Sequence, residues 1–218
     1  MIKLRRAALR VAIGLVLSCL LAAGISAYIN SRLPRGSAVV DRLSEADKAR
    51  LAEATHLRQT LGDSVWPGWG TADIPLLLYN ERNAFLVGLD RPAAGWIKVP
   101  DMATRGGPWL PVPGDTASGR QYYYRPVEGG DRAIGGFTVQ VGECWVATLG
   151  TAEWARISFQ EGFSRDLPPV LRDVFPYGLA YGALMGQGDR YIIALLHESF
   201  HAYQGLVQPE RLIAADRT

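Results

Sequence analysis

Tyr191-Ile-Ile-Ala-Leu-Leu-His-Glu-Ser-Phe-His-Ala-Tyr-Gln204 sets the reading of the whole chain. Neither Pro nor Gly interrupts the run from Asp189 to Gln204, and the spacing predicts a helix there. Inside it His197, Glu198 and His201 form an HExxH pattern among the uncharged residues Leu195, Leu196, Phe200, Ala202 and Tyr203. Residues four apart share a helix face, so both imidazoles can meet one metal ion. Glu198, one step round, can stand beside the open coordination position of that ion. Neutral imidazoles bind zinc, zinc lowers the pKa of a bound water, and a carboxylate takes the proton as attack begins. The competing reading is a structural helix whose His and Glu side chains only make hydrogen bonds. Burying three ionisable groups in an apolar helix for that purpose alone is costly.

The segment LLHESFHAYQ resembles the active-site helix of zincin-type metallopeptidases. The resemblance covers about a dozen residues, together with a sheet-then-helix order before them. It implies a zincin-like α+β fold, a Zn2+ ion and a peptide or protein substrate. It also implies His197 and His201 as ligands and Glu198 as general acid/base. A catalytic zinc usually takes three protein ligands and a water. The metzincin arrangement would need Gly at position 204 and His at 207, where this chain has Gln204 and Val207, so that class is excluded. The gluzincin arrangement takes a Glu from a later helix, and Glu210 is the sole downstream glutamate, with Asp216 the sole downstream aspartate. Glu210 is thus the candidate third ligand; against this stands a solvated carboxylate favoured by the dipole of a new helix after Pro209. Leu212–Thr218 reads as an unfinished helix, and the expectation is that a further C-terminal helix carrying the third ligand is missing from this sequence.

The composition fits a globular protein: 48% hydrophobic and 20% charged residues, with a net charge of +2. No basic patch with interleaved aromatics stands out, which argues against a nucleic-acid partner. Cys19 and Cys144 are the two cysteines, too few and too far apart in kind for a disulfide framework, so zinc would be held by His and carboxylate. Oligomeric state leaves no trace.

Lys3, Arg5, Arg6 and Arg10 precede an uncharged run from Val11 to Ile29. That run is long enough to cross a bilayer, and the positive charge before it directs the rest of the chain out of the cytoplasm. An uncleaved membrane anchor is expected. A signal peptide cut near Ala22, Gly24 or Ala27 is the alternative, and would release a secreted protein. Cys19 reads as a thiol within the spanning helix rather than an acylation site.

Four segments follow from the pattern: 1–30, anchor or signal; 31–66, linker and amphipathic helix; 67–150, a β-rich region; and 151–218, helices carrying HExxH. Ser44 and Asp47 open a helix from Glu45 to Leu61, stopped by Gly62, with Leu43, Leu51, Ala54, Leu57 and Leu61 as its apolar stripe. His56 lies off that stripe and reads as a surface residue. Trp66-Pro-Gly-Trp-Gly70 is a turn with two aromatic anchors; packing is its default role and ligand stacking the alternative. Ile74–Tyr79 and Phe85–Leu89 form a hairpin, residues 90–120 an irregular loop, Tyr122–Tyr124 a strand and Phe137–Leu149 one long strand that would hold an extended substrate at the sheet edge. Cys144 has no partner for a metal role. Thr151–Glu161 reads as a short helix with a strand as alternative, Pro169 starts a helix ending near Phe175, and Pro176 opens another to Met185. Gly178, Ala180, Gly182 and Ala183 suggest close packing of that last helix. Residues 186–188 read as a turn, with Asp189 capping the motif helix. The whole is an α+β chain with an N-terminal apolar helix, an antiparallel β-rich region and then helices. Its expected function is zinc-dependent peptide hydrolysis outside the cytoplasm. The alternative is a non-catalytic, membrane-anchored binding or assembly protein that retains the helix with an incomplete metal site.

Overall fold

Helix α1 (Ile2–Asn30) follows directly from the N-terminal apolar run. The computed structural model describes residues 2–99, 103–127, 138–185 and 189–215. Residues Leu9–Asn30 of α1 are long and apolar enough to cross a membrane, and their Leu, Val and Ile side chains from Leu9 to Leu21 are exposed. The chain divides into two units, residues 1–35 with 156–185 and residues 36–155 with 186–218.

The larger unit begins with α2 (Glu45–Val65), and Ser44 is its N-cap. The Ser44 hydroxyl accepts from the Asp47 N–H at 3.1 Å and donates to the Asp47 carboxylate at 2.6 Å. That carboxylate also accepts from the Ala152 N–H, so one residue serves two chain segments. The helix does not stop at Gly62 but runs on to Val65. Gly62 is required for another reason: a Cβ there would lie 2.8 Å from the Gly70 nitrogen. The buried face is Asp47, Leu51, Ala54, Arg58 and Gly62, and Leu61 is exposed instead. Arg58 is only 7% exposed because its guanidinium donates to the carbonyls of Trp69 and Ala72 at 2.7 and 2.6 Å. Burial lowers its pKa, and the charge of Asp73 offsets part of that. His56 is exposed, as expected for a surface histidine.

Among the described residues eight strands follow: β1 (Leu76–Tyr79), β2 (Asn83–Val87), β3 (Trp96–Lys98), β4 (Thr104–Arg105), β5 (Leu110–Ala117), β6 (Arg120–Pro126), β7 (Thr138–Val141) and β8 (Cys144–Gly150). They make one sheet in the order β4-β3-β7-β8-β1-β2-β6-β5, antiparallel except for β1 against β8. The β1–β2 hairpin stands where the sequence puts it, and β6 contains Tyr122–Tyr124. Residues 90–120 are not an irregular loop, since they contribute β3, β4 and β5. The Pro and Gly content is tolerated because β5 is an edge strand, with a register shift between Pro111 and Thr116. Residues 137–149 are two strands, because Gly142 takes φ 61° and turns the chain between β7 and β8; Phe137 lies outside the described residues. Both β7 and β8 are hydrogen-bonded on each side, so neither can add a substrate strand.

The sheet has to curl. A flat eight-stranded sheet would separate its outer strands by about 34 Å. Yet the outer strands β4 and β5 are joined by the stretch from Arg105 to Leu110, and five residues reach at most about 18 Å. Inside the curl lie Leu77, Leu86, Trp96, Trp109, Val139, Val141 and Val146. The buried Arg125 guanidinium stands 5.7 Å from the Trp96 ring and 5.4 Å from that of Trp109. The Trp109 indole N–H donates to the Gly95 carbonyl at 3.2 Å. Gly106 carries no Cβ for a plain reason: one would fall 1.9 Å from Arg125 Nη1.

The outer face, with Leu76, Leu78, Phe85, Trp145 and Ala147, carries α2 and α6 (Asp189–Val207). A polar cluster ties α2 to the β5–β6 hairpin. Lys48 Nζ donates to Asp115 at 2.5 Å, the Tyr122 hydroxyl donates to the same carboxylate at 2.6 Å, and the Leu43 N–H donates to the Tyr122 oxygen. Burial alone would push Asp115 up, but these donors and the Lys48 charge outweigh it and hold its carboxyl below the ordinary range. Burial and the Asp115 hydrogen bond raise the Tyr122 phenol. After α6, Gln208 leads to α7 (Pro209–Ala215), with Glu210 in its first turn.

In the smaller unit α1 is joined by most of α3 (Ala152–Asp166), by α4 (Pro169–Arg172) and by α5 (Tyr177–Met185). The choice between helix and strand after Thr151 falls to helix, and the Thr151 carbonyl accepts its first-turn bond from Ala155. Phe159, Phe163, Phe175, Tyr177 and Tyr181 form a chain of ring contacts, with Phe163 and Phe175 stacked at 4.8 Å. The Asn30 side-chain amide donates to the carbonyls of Asp173 and Phe175 at 2.8 and 2.7 Å. Close packing at Gly178 and Gly182 is not found: among the described residues no atom lies within 4 Å of a Cβ placed at either. The turn expected at 186–188 lies outside the described residues.

Candidate metal centre

Helix α6 is held from three directions, and that fixes which of its faces stays open. At its start the Tyr191 hydroxyl donates to the Gly150 carbonyl at the end of β8, at 2.8 Å. Near its end Gly205 lies against the Trp145 ring, so closely that a Cβ would come within 2.3 Å of a ring carbon. On one flank Phe200 meets Trp69 and Trp66 edge-on at 5.1 and 6.0 Å, and the Tyr203 hydroxyl donates to the Pro67 carbonyl at 2.6 Å. Trp69 therefore has the packing role expected of the 66–70 turn, while Trp66 remains 48% exposed. Leu195 and Ala202 fill the centre of the contact with the sheet.

With that face committed, His197 and His201 emerge together on the other. Their Nε2 atoms are 3.0 Å apart and their rings stand at 86°. Two nitrogens bound tetrahedrally to one zinc ion at 2.0–2.1 Å would lie about 3.3–3.4 Å apart. The observed spacing is within a few tenths of that distance, which a small ring rotation supplies. The donor set fits a metal in a second respect. His201 Nδ1 is 2.9 Å from Gln204 Oε1. An amide oxygen only accepts, so Nδ1 carries the proton and the Nε2 lone pair is left for a ligand. Gln204 was legible in the sequence only as an i+3 neighbour of His201, and that spacing is the signal for an orienting partner.

Glu198, next to His197 in the chain, is half-buried. Burial raises its carboxyl pKa, and the two imidazoles pull it back. On β1, burial and then the Glu198 charge push the Tyr79 phenol up to about 12. Glu210 does not join the pair. It is exposed at the start of α7, and α6 carries the chain on to Val207 before that helix begins. Asp216 lies outside the described residues. Among the described residues no three His, Cys, Asp or Glu side chains converge as one ion would require. The structure thus brings together two candidate ligands, an amide hydrogen-bonded to one of them and an adjacent carboxylate.

Beside Gln204 lies a hollow of about 240 Å³, lined by Trp66, Phe200, Tyr203, Gln204 and Leu212 with Arg211. It is smaller than the roughly 300–1,000 Å³ of sites for whole small molecules. Compared with protein-family models, curated proteins and solved structures, the chain matches none, so its chemistry is argued from its own geometry.

Proposed function

We propose that the protein is a zinc-dependent peptidase, tethered by α1 with its larger unit outside the cytoplasm. The observation that carries this is the 3.0 Å approach of the two Nε2 atoms, with Gln204 fixing the tautomer of His201. His197 and His201 would hold the ion, which when bound supplies a Lewis acid and lowers the pKa of water. The chain's own residues do the rest. Glu198 takes the proton of the attacking water as its oxygen bonds to the scissile carbonyl carbon. The same carboxyl then passes that proton to the departing nitrogen as the C–N bond breaks. A carboxyl raised by burial is a better base than an exposed one, which suits Glu198 to both transfers. The hollow next to Gln204 accommodates one large apolar side chain of an extended peptide.

A non-catalytic, membrane-anchored binding protein is the second reading, favoured by the convergence of only two ligands among the described residues. One experiment separates them. The purified full chain is expected to bind one equivalent of zinc and to cleave peptides with a large apolar residue beside the cut. Glu198→Gln should keep the zinc and slow cleavage about 10²–10⁴-fold. Protein that takes up no zinc, or a Glu198→Gln variant as fast as the wild type, would overturn the peptidase.

A further inference from the structure

We propose that α4 and α5 form a second membrane contact, lying in the headgroup layer where α1 leaves the bilayer. Residues 174–185 carry no charged side chain. Val170 is 83% and Leu179 77% exposed, and Leu171 and Leu184 are exposed as well. One exposed apolar residue is ordinary, but four of them within fifteen residues of chain mark an interaction surface. Among the described residues no atom lies within 4 Å of a Cβ placed at Gly178 or Gly182, so these two positions of α5 face open space.

What covers it follows from α1. Residues Leu9–Asn30 number 22, a helix about 33 Å long against a hydrocarbon core of about 30 Å. Asn30 therefore marks the far boundary of the span. Its amide is bonded to the carbonyls of Asp173 and Phe175, which pins the start of α5 at the same depth. The surroundings suit that depth. Tyr28 is exposed with the Arg32 guanidinium 4.8 Å over its ring, and Phe163 stacks on Phe175, which Tyr177 meets edge-on. Aromatic and cationic side chains gather at this boundary because one part of each prefers lipid and the other water. The nine residues of α5 are too short to cross a bilayer, so an uncharged helix there lies in the plane of the interface. The contact requires α1 to remain attached as the proposed span.

The test uses the full chain with Cys19→Ser and Cys144→Ser, reconstituted in vesicles of phosphatidylcholine and phosphatidylglycerol. A fluorophore is placed through Leu179→Cys, and in separate samples through Leu15→Cys. Nitroxide lipids carry the quencher either near the headgroup or near the bilayer centre. Expected is stronger quenching at 179 by the shallow lipid, by about twofold over the deep one, and the reverse at 15. Quenching at 15 with none at 179 would overturn the contact while leaving the span intact. No quenching at 15 would remove the span, and the contact with it. A blue-shifted probe at 179 that no lipid quenches, and whose shift grows with protein density, would assign the surface to a second copy and overturn the proposal.

Discussion

Helices α5 and α6 are both rich in apolar residues, and they place them in opposite ways. In α6 the apolar side chains recur on one face. Tyr191, Leu195, Ala202 and Tyr203 are buried, and the ionisable residues of the motif collect towards the other side. In α5 the apolar residues go all the way round, and Leu179 points into open space. Periodicity, not hydrophobicity, separates a helix that belongs to a protein core from one that needs another environment. The same difference explains why one of them can carry a site. A side chain is aimed only if the opposite face of its helix is fixed.

Truncation tests the comparison most strongly. Leu195 is 1% exposed, and Leu195→Ala should cost about 2–5 kcal/mol, a fall in Tm of roughly 5–15 °C by calorimetry. Equal stability would mean that α6 is not held by the sheet. Next is the aim of the site. Removing the amide that orients His201, by Gln204→Ala, should weaken zinc binding about 10–100-fold in a chelator competition, with little change in Tm. Unchanged affinity would show that Gln204 is not an orienting residue. Gly205→Ala forces a methyl group into the Trp145 ring and should cost about 1–3 kcal/mol, read as a shifted denaturation midpoint.

The other helix on the sheet, α2, is fixed by charge as well as by apolar contact, and pH reports it. Asp115→Asn should destabilise by about 1–2 kcal/mol near neutral pH. Because the folded carboxyl titrates below its unfolded value, this contribution is complete above about pH 4 and is lost as pH falls through the folded pKa. Wild type and variant should therefore converge in acid; a constant gap from neutral pH down would sink the assignment. The smallest effect belongs to α5: Leu179→Ala should stay within about 0.5 kcal/mol, because the side chain has no core to leave.

What could be read from the sequence was whatever depends on near neighbours. The i, i+4 histidines, the Ser44 cap and the β1–β2 hairpin are local, and each stands where the spacing puts it. The strands within 90–120 were hidden because Pro and Gly argue for loops unless the strand is known to be an edge, and edges are a property of the finished sheet. The apolar stripe of α2 was misplaced at Arg58. Nothing in composition says that a guanidinium will be buried by three residues' worth of carbonyls supplied by the 69–72 turn. The hinge at Gly142 was likewise missed, because a continuous apolar run reads the same for one strand or two.

The parallel pairing of β1 with β8, Leu76 against Ala147, bears on the order in which the protein acquires its shape. It joins positions some 70 residues apart, whereas Tyr79 meets Ala84 across a tight hairpin. Closing the longer loop costs about 2 kcal/mol more in chain entropy. The hairpins β1–β2, β5–β6 and β7–β8 can therefore form early and independently, while β8 docks on β1 late. Helix α6 rests on β8 and follows it in the chain, so the histidine pair takes its final position only when the slowest contact of the sheet has closed. A chain emerging across a membrane would expose its hairpins first, and would bring His197 and His201 into place last of all.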